Sequence, residues 1–380
     1  MSSAIEVRPV AGRGELKAFV RFPWRVYRGD PHWVPPLLSA AARTFDPRHN
    51  AFFEHGDIRP YLAWRGGEPV GRIAAITNRL HNERYNDRVG FWGYFESLPE
   101  ADVVRALLDG AAADLRERGL TEMWGPFNPS INGECGLLIE GFGLPPSLMM
   151  PYNPPEYPAL VEQQGHRKLK DLFAYYLDLD MLTPEHENRQ RLERIDAAIR
   201  RRHPEITIRT LDMAHYEAEV MALGKVFNAA REGNWGYVPI TDAEMAAMAR
   251  EMKLVVVPDC VAIAEVSGEM AGCVMGLLDI GPLLRKANGR LWPFGWFHLL
   301  WGRRKIRTAR IFGAAVAPAY RNLGIIPLLF LKYIHGYQRR GLHWGELSWV
   351  AEDNVKSLRT LESAFHPRLY KRYRVYGKTL

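Results

Sequence analysis

Apolar positions change their period along the chain, and the changes mark out elements. Around Gly66-Gly67 the run YLAWRGGEPVGRIAAIT sets two apolar, β-branched stretches back to back, the pattern of a β-hairpin. The run VAIAEVSGEMAGCVMGLL repeats that form around Ser267-Gly268. After the first hairpin comes an aromatic strand at 89–95. A helix follows over 101–118, with Val104, Leu107, Leu108, Ala111 and Leu115 at i, i+3, i+4 spacing. Gly119 ends it, as a helix C-terminal glycine does, and 122–125 reads as a strand. The same order returns later: a strand at 311–316, a helix at 324–339, Gly341 as its stop, and a strand at 345–350.

Two further matches extend this likeness. Arg118-Gly119-Leu120 and Arg340-Gly341-Leu342 hold equivalent places. GHRKLKDLFAYY from Gly165 aligns with FHPRLYKRYRVY from Phe365, with histidines, leucines and final tyrosines in register. An internal repeat of roughly 200 residues is the simplest account, at about two domains for a chain of 380 residues. The predicted boundary lies near Asp180, before a polar helical segment at 184–202, which gives domains 1–180 and 181–380. Hairpins followed by helix-separated strands predict an α/β fold with a mixed sheet in each half.

Composition adds exclusions. With 47% hydrophobic and 24% charged residues, the chain is neither disordered nor collagen-like. Three cysteines (Cys135, Cys260, Cys273) cannot form a disulfide framework, which points to a reducing compartment. The start, MSSAIEVRPVAGRGEL, has no apolar signal core, and no apolar run reaches the roughly 18–20 residues that span a bilayer. A cytoplasmic protein is expected. HExxH, CxxC, G-x-S-x-G and Walker A patterns are absent, so no metal site is expected.

The second half carries the most specific feature. Strand 311–316 runs through Pro318 into Arg321-Asn322-Leu323-Gly324-Ile325-Ile326 and then a helix. Unsatisfied N–H groups and the helix dipole meet at such a loop and favour an anion, and glycine lets the backbone approach a phosphate. A plain loop with one glycine has the same appearance. The surroundings decide between them: VAPAYRNLGII from Val316, the strand GELSWV, Asn354 at the start of a helix, and the closing strand RLYKRYRVY. In this order residues 311–380 resemble the coenzyme A half of the GNAT superfamily of acyl-CoA N-acyltransferases, and the N-terminal half resembles it more weakly. The chain would then hold two tandem GNAT-like domains, the first degenerate for coenzyme binding. Ile326 stands where the superfamily's loop has its last Gly or Ala.

The resemblance implies roles. The backbone of Arg321, Asn322, Leu323, Gly324, Ile325 and Ile326 would hold the pyrophosphate. Ala315 and Val316 would pair with the pantetheine arm, and Asn354 would contact it. Acyl-CoA or acetyl-CoA would be a co-substrate, with no permanently bound cofactor. In the first half the equivalent loop, Glu96-Ser97-Leu98-Pro99-Glu100, has no glycine and two carboxylates that would repel a pyrophosphate. That half would shape the acceptor site or serve structure alone.

Acyl transfer to an amine needs a proton acceptor, a polarised carbonyl and a proton for the departing thiolate. Strand alternation puts Glu346 and Ser348 on one face, as base and acid, or leaves Glu346 a satisfied structural carboxylate. Glu352 is a second candidate base. Many superfamily members have a Tyr seven or eight residues after the Asn. Leu361 and Glu362 stand there, which leaves Tyr370, Tyr373 and Tyr376 as substitutes. Two stretches are candidate substrate lining or inter-domain packing: GPFNPSINGECG, with Asn128, Asn132 and Glu134, and NWGYVP, with Trp235 and Tyr237.

Net charge is +7, and its location matters. Eight basic residues and no acidic one lie between Arg285 and Arg310, around the apolar LWPFGWFHLLWG. Without them 42 basic residues face 43 acidic ones. Aromatics flanked by Lys and Arg suit the interface of an anionic membrane, and no nucleic-acid-binding pattern accompanies them. A buried segment between the domains is the bland alternative. In layout the chain is similar to the bacterial ceramide synthase type of the superfamily, which N-acylates a sphingoid base. That similarity implies fatty acyl transfer to a lipid-like amine by a protein peripheral on the inner face of the cytoplasmic membrane. A soluble acetyltransferase of a small amine or peptide, and a non-catalytic CoA- or membrane-binding module, are the alternatives.

Overall fold

The computed structural model describes residues 4–253, 255–293, 295–355, 358–359, 365 and 367–380. The chain forms two compact units, each built from separate stretches. One comprises Met1–Leu172, Gly281–Leu300 and Lys371–Leu380, and the other Phe173–Ile280 and Trp301–Tyr370. The sequence reading has a single cut near Asp180 and one insert, 285–310, in the second half. Most of that insert joins the first unit because local contacts tie it there. Trp24 Nε1 donates to Asn288 Oδ1 at 2.8 Å, the Leu38 N–H to the Gly289 carbonyl at 3.0 Å, and Arg285 to the Pro31 carbonyl.

The strands, in chain order, begin with β1 (Glu6–Pro9), β2 (Gly56–Arg65), β3 (Glu68–Asn78), β4 (Val89–Ser97) and β5 (Glu122–Gly125). Next come β6 (Phe127–Asn128), β7 (Glu134–Cys135), β8 (Leu137–Glu140) and β9 (Arg167–Asp178). The rest are β10 (Ile206–Thr210), β11 (Val256–Val266), β12 (Glu269–Leu278), β13 (Thr308–Val316), β14 (Trp344–Ala351) and β15 (Arg368–Thr379). Helices used below are α1 (Gly12–Arg21), α2 (Ala101–Glu117), α3 (Glu187–Arg202), α4 (Tyr216–Arg231), α5 (Asp242–Met252) and α6 (Ile325–Arg339).

In the first unit β2 and β3 form the predicted hairpin, β4 adds antiparallel to β3, and β5 runs parallel to β4. The C-terminal part of β15 pairs antiparallel with β5 and β8. Helix α2 covers this sheet because its apolar stripe has helical spacing. Val103, Val104, Leu107, Ala111 and Leu115 are fully buried, packed with Ile73, Ala75 and Trp92. Each of these Val and Leu side chains stabilises the fold by roughly 1.5–3 kcal/mol.

The second unit repeats the scheme. β11 and β12 form a hairpin, β13 adds antiparallel to β12, and β14 runs parallel to β13. Helix α6 buries Leu328, Leu329, Phe330, Leu331 and Ile334. A second core joins Leu223, Val226 and Phe227 of α4 and Met245 of α5 to Ile263, Cys273 and Ala315 of the sheet. The two aligned segments at 165–176 and 365–376 both form strands, β9 and β15.

Candidate functional site

The parallel strands of the second unit part company early. β13 and β14 pair from Thr308↔Trp344 to Ile311↔Leu347, and among the described residues no pairing continues beyond. The last residues of β13 keep only their β12 neighbours, Cys273 for Ala315 and Gly272 for Val316. A strand with one edge unpaired offers N–H and C=O groups to an extended ligand. Ala315 and Val316 are both buried at this edge.

The chain then turns through Pro318–Leu323 into α6. Gly324 takes φ 72°, ψ 27°, a left-handed conformation that an L side chain adopts only under strain. A β-carbon there would also lie 2.9 Å from Ile199 Cδ1 of α3. Arg321 and Asn322 are exposed, Leu323 and Ile326 half-buried and Ile325 buried, so the α6 N-terminus follows a loop with a cation on it. The Arg321 guanidinium donates to the Ala230 carbonyl at 2.9 Å. Asn354 is half-buried, and its N–H reaches the Ala351 carbonyl at 2.9 Å. Most of the helix predicted after Asn354, with Leu361 and Glu362, lies outside the described residues.

Glu346 and Ser348 do share a strand face, and both are buried. Their neighbours close the cluster. Glu346 accepts from Ser348 Oγ on one oxygen and from Tyr370 Oη on the other. Arg310 donates from Nε to Ser348 Oγ at 2.8 Å and from Nη2 to the Ser348 carbonyl at 3.2 Å. This places Arg310, 6% exposed, inside the fold and not on the basic surface where the sequence reading has it. Among the three tyrosines, Tyr373 and Tyr376 are fully buried and Tyr370 is half-buried, its ring against Tyr176 at 6.3 Å. Glu352, just past β14, is half-buried. Tyr237 is buried and Trp235 half-buried, both in the second unit.

Asn128, Asn132 and Glu134 belong to the first unit, on the β6–β7 hairpin and its turn. β4 and β5 pair only from Val89↔Glu122 to Phe91↔Trp124, and β6 sits at the opening. The approach is so close that a β-carbon on Gly93 would lie 1.7 Å from the Phe127 carbonyl oxygen. Asn128 Oδ1 accepts the Tyr94 N–H at 2.7 Å, and its Nδ2 donates to Glu134 Oε2 at 3.4 Å. Tyr94 has φ 49°, strained for an aromatic residue and pinned by that bond.

Glu96 lies two residues further along β4 and belongs to a buried polar cluster that the sequence reading does not contain. It points inward, 9% exposed, instead of forming a repelling rim. Its Oε2 accepts from Tyr27 Oη at 2.8 Å and Tyr157 Oη at 3.3 Å, and Oε1 stands 3.9 Å from Arg72 Nη2. Burial pushes the Glu96 carboxyl up to about 7. Arg72 and the two hydroxyls pull it back and the Glu134 carboxylate raises it further. Glu100, by contrast, pairs with Arg65 at 2.6 Å. Glu96 carries no motif, since Tyr27, Arg72 and Tyr157 come from three distant segments.

No family model matches the chain. It is 35% identical to the bacterial ceramide synthase of Caulobacter vibrioides (strain NA1000 / CB15N), over 99% of this chain and 98% of that protein. The chain is an acyltransferase of the bacterial ceramide synthase family. Another relative, protein YghO of Escherichia coli (strain K12), is 34% identical over 98% of this chain and 95% of its own. In fold, the chain matches a tandem GNAT protein from the clavulanic acid biosynthesis pathway with TM-score 0.58 and 14% identity. That match covers 99% of this chain and 98% of the other. In this ceramide synthase relative Cys260 and Cys273 are poor nucleophiles. All three cysteines are buried, and burial pushes the Cys260 and Cys273 thiols up to about 12. Among the described residues no helix is long and apolar enough to cross a membrane.

Proposed function

We propose that the chain transfers a fatty acyl group from acyl-CoA to the primary amine of a lipid-like acceptor such as a sphingoid base. The observation that carries this reading is the full-length 35% identity to a protein named bacterial ceramide synthase. The amine nitrogen bonds to the thioester carbonyl carbon, the C–S bond breaks, and the thiolate leaves as CoA–SH after taking a proton. The Arg321–Ile326 loop and the free edge at Ala315 and Val316 would hold the coenzyme, with Asn354 beside the pantetheine arm.

Glu346 has a hydrogen bond on each oxygen, which suits it to orienting Tyr370 better than to taking a proton. The half-buried Tyr370 hydroxyl, turning its single proton from Glu346 to the sulfur, is then the proton donor for the thiolate, Ser348 and Arg310 hold Glu346 in place, and Glu352 is the acceptor of the amine proton. Asn128, Asn132, Glu134, Trp235 and Tyr237 are candidate acceptor-binding residues.

The surface between Arg285 and Arg307 supports peripheral binding to an anionic membrane, on the cytoplasmic face. Trp292, Leu300 and Trp301 are 78%, 54% and 62% exposed. Arg285, Lys286, Arg290, Arg304, Lys305 and Arg307 are exposed beside them in the chain. A thiol-release assay with palmitoyl-CoA and acetyl-CoA against sphinganine and simple amines tests the reaction. Release from palmitoyl-CoA with sphinganine is expected. Release only from acetyl-CoA with small amines would overturn the lipid reading.

A further inference from the structure

The polar segment predicted at 184–202 forms α3, which packs antiparallel along α6 within the second unit. Two contacts fix that direction. Near the start of α3, Arg189 Nη1 donates to Gln338 Oε1 near the end of α6 at 2.6 Å. Near the end of α3, Ile199 meets Gly324 at the start of α6, its Cδ1 2.9 Å from where a β-carbon on that glycine would lie. The last turn of α3 therefore stands beside the loop that leads into α6.

That turn carries Arg200, Arg201 and Arg202, all exposed. They are not equivalent. Arg200 is held by Asp196, with Nε 3.0 and 2.8 Å from its two carboxylate oxygens. His203, just past the helix, has Nδ1 3.0 Å from Glu205. Arg201 comes two positions after Ile199, which puts it on the other side of the helix from α6. Arg202 comes three positions after Ile199, on the same side and about 5–6 Å away between β-carbons. Among the described residues no carboxylate pairs with Arg202.

A guanidinium in that position suits a phosphate, since its planar fork matches two phosphate oxygens. The pyrophosphate of CoA has the backbone N–H groups of the proposed loop. Arg321 on that loop is tied back to the Ala230 carbonyl at 2.9 Å. CoA also carries a phosphate on its ribose 3′ oxygen, a dianion that calls for a cation outside the loop.

We infer that Arg202 binds the 3′-phosphate of CoA and is the residue by which the protein tells CoA from its dephosphorylated form. This inference rests on the proposed coenzyme loop and adds the nucleotide end of that site.

Calorimetry of the full chain with CoA and with 3′-dephospho-CoA reads the contact, because the two ligands differ only in that phosphate. The wild type is expected to bind CoA at least tenfold more tightly. R202Q should weaken CoA about tenfold and dephospho-CoA by less than twofold, so that the preference disappears. R202K keeps a cation at the position and should keep part of the preference. R201Q removes the same charge one position away, on the other side of the helix, and should leave both affinities within twofold of the wild type.

Equal binding of the two ligands by the wild type would overturn the inference. So would equal losses for both ligands in R202Q, or a loss in R201Q as large as that in R202Q. The coenzyme reading fails on a different result, no binding of either ligand by the wild type, and the inference falls with it.

Discussion

Arg310 on β13 and Glu346 on β14 are register partners on parallel strands, with Nε 3.9 Å from Oε1 and both side chains sealed from solvent. Ser348 bridges them. A buried charge that loses its partner is strongly destabilising, typically by about 3–5 kcal/mol. R310M is therefore expected to lower unfolding stability by about 3–5 kcal/mol, read from the midpoint of a urea titration. The double variant R310M/E346L should recover most of the loss, because no unpaired charge remains. If R310M shifts the midpoint by less than 1 kcal/mol equivalent, the pair is not the buried unit described.

Gly324 sets the geometry of the proposed coenzyme loop. At φ 72° an alanine costs about 1–2 kcal/mol, and its methyl would push on Ile199 Cδ1 at 2.9 Å. G324A is expected to weaken CoA binding more than tenfold by calorimetry, with a fall in stability of that modest size. Removing the methyl contact with I199A in the same chain should restore part of the stability and little of the affinity. CoA binding within twofold of wild type in G324A would sink the loop assignment.

The elements were legible because local chemistry wrote them. Apolar period, the turn residues at 66–67 and 267–268, and the stop glycines placed β2–β5 and β11–β14 to within a few residues. The repeat followed from the same signals. The polar clusters were not legible, because their members meet only through the sheets. Arg310 sits in a run of cations, and nothing local separates it from Arg307. What buries it is a register fixed 36 positions away, at Glu346. Glu96 likewise reads as a charge in a helix-entry loop until Tyr27, Arg72 and Tyr157 arrive from other segments. Asn128 and Glu134 were legible as neighbours because they lie within one short hairpin.

Buried groups of the first unit bend the pH dependence of stability in opposite senses. The Glu96 carboxyl is raised by burial to about 7, so between about 4.5 and 7 the folded chain holds a proton that the unfolded chain releases. Its contribution is present below pH 4.5 and is lost as pH rises to 7, by about 3 kcal/mol at 1.36 kcal/mol per unit. Burial lowers His166 to about 4, so the unfolded chain takes up a proton first as pH falls below 6.5. Stability then drops by a similar amount on the way to pH 4. E96Q is expected to rise more steeply than the wild type between pH 4.5 and 7, and H166F to lose about half of the acid-side drop, the other half belonging to His81, which burial also lowers to about 4. Chemical denaturation at pH 4.5, 5.5, 6.5 and 7.5 checks both. Parallel curves for wild type and E96Q would show that Glu96 titrates normally.

The proposed membrane contact would involve the exposed cations and not the buried one. Each Lys or Arg near an anionic leaflet contributes about 1 kcal/mol, and the attraction is screened by salt. Neutralising Arg304, Lys305 and Arg307 together is expected to weaken binding to phosphatidylglycerol vesicles by about 3 kcal/mol, roughly a hundredfold. W292S/W301S should weaken it too, through the lost interfacial aromatics, and should do so equally at low and high salt. Arg310 provides the contrast: R310M, once corrected for its folded fraction, should partition like the wild type, because that guanidinium faces Ser348 and Glu346 and not the lipid. Vesicle sedimentation at 50 mM and 500 mM salt reads all three. Equal partition of the wild type onto neutral phosphatidylcholine vesicles, or no loss in the triple variant, would remove the anionic surface from the reading.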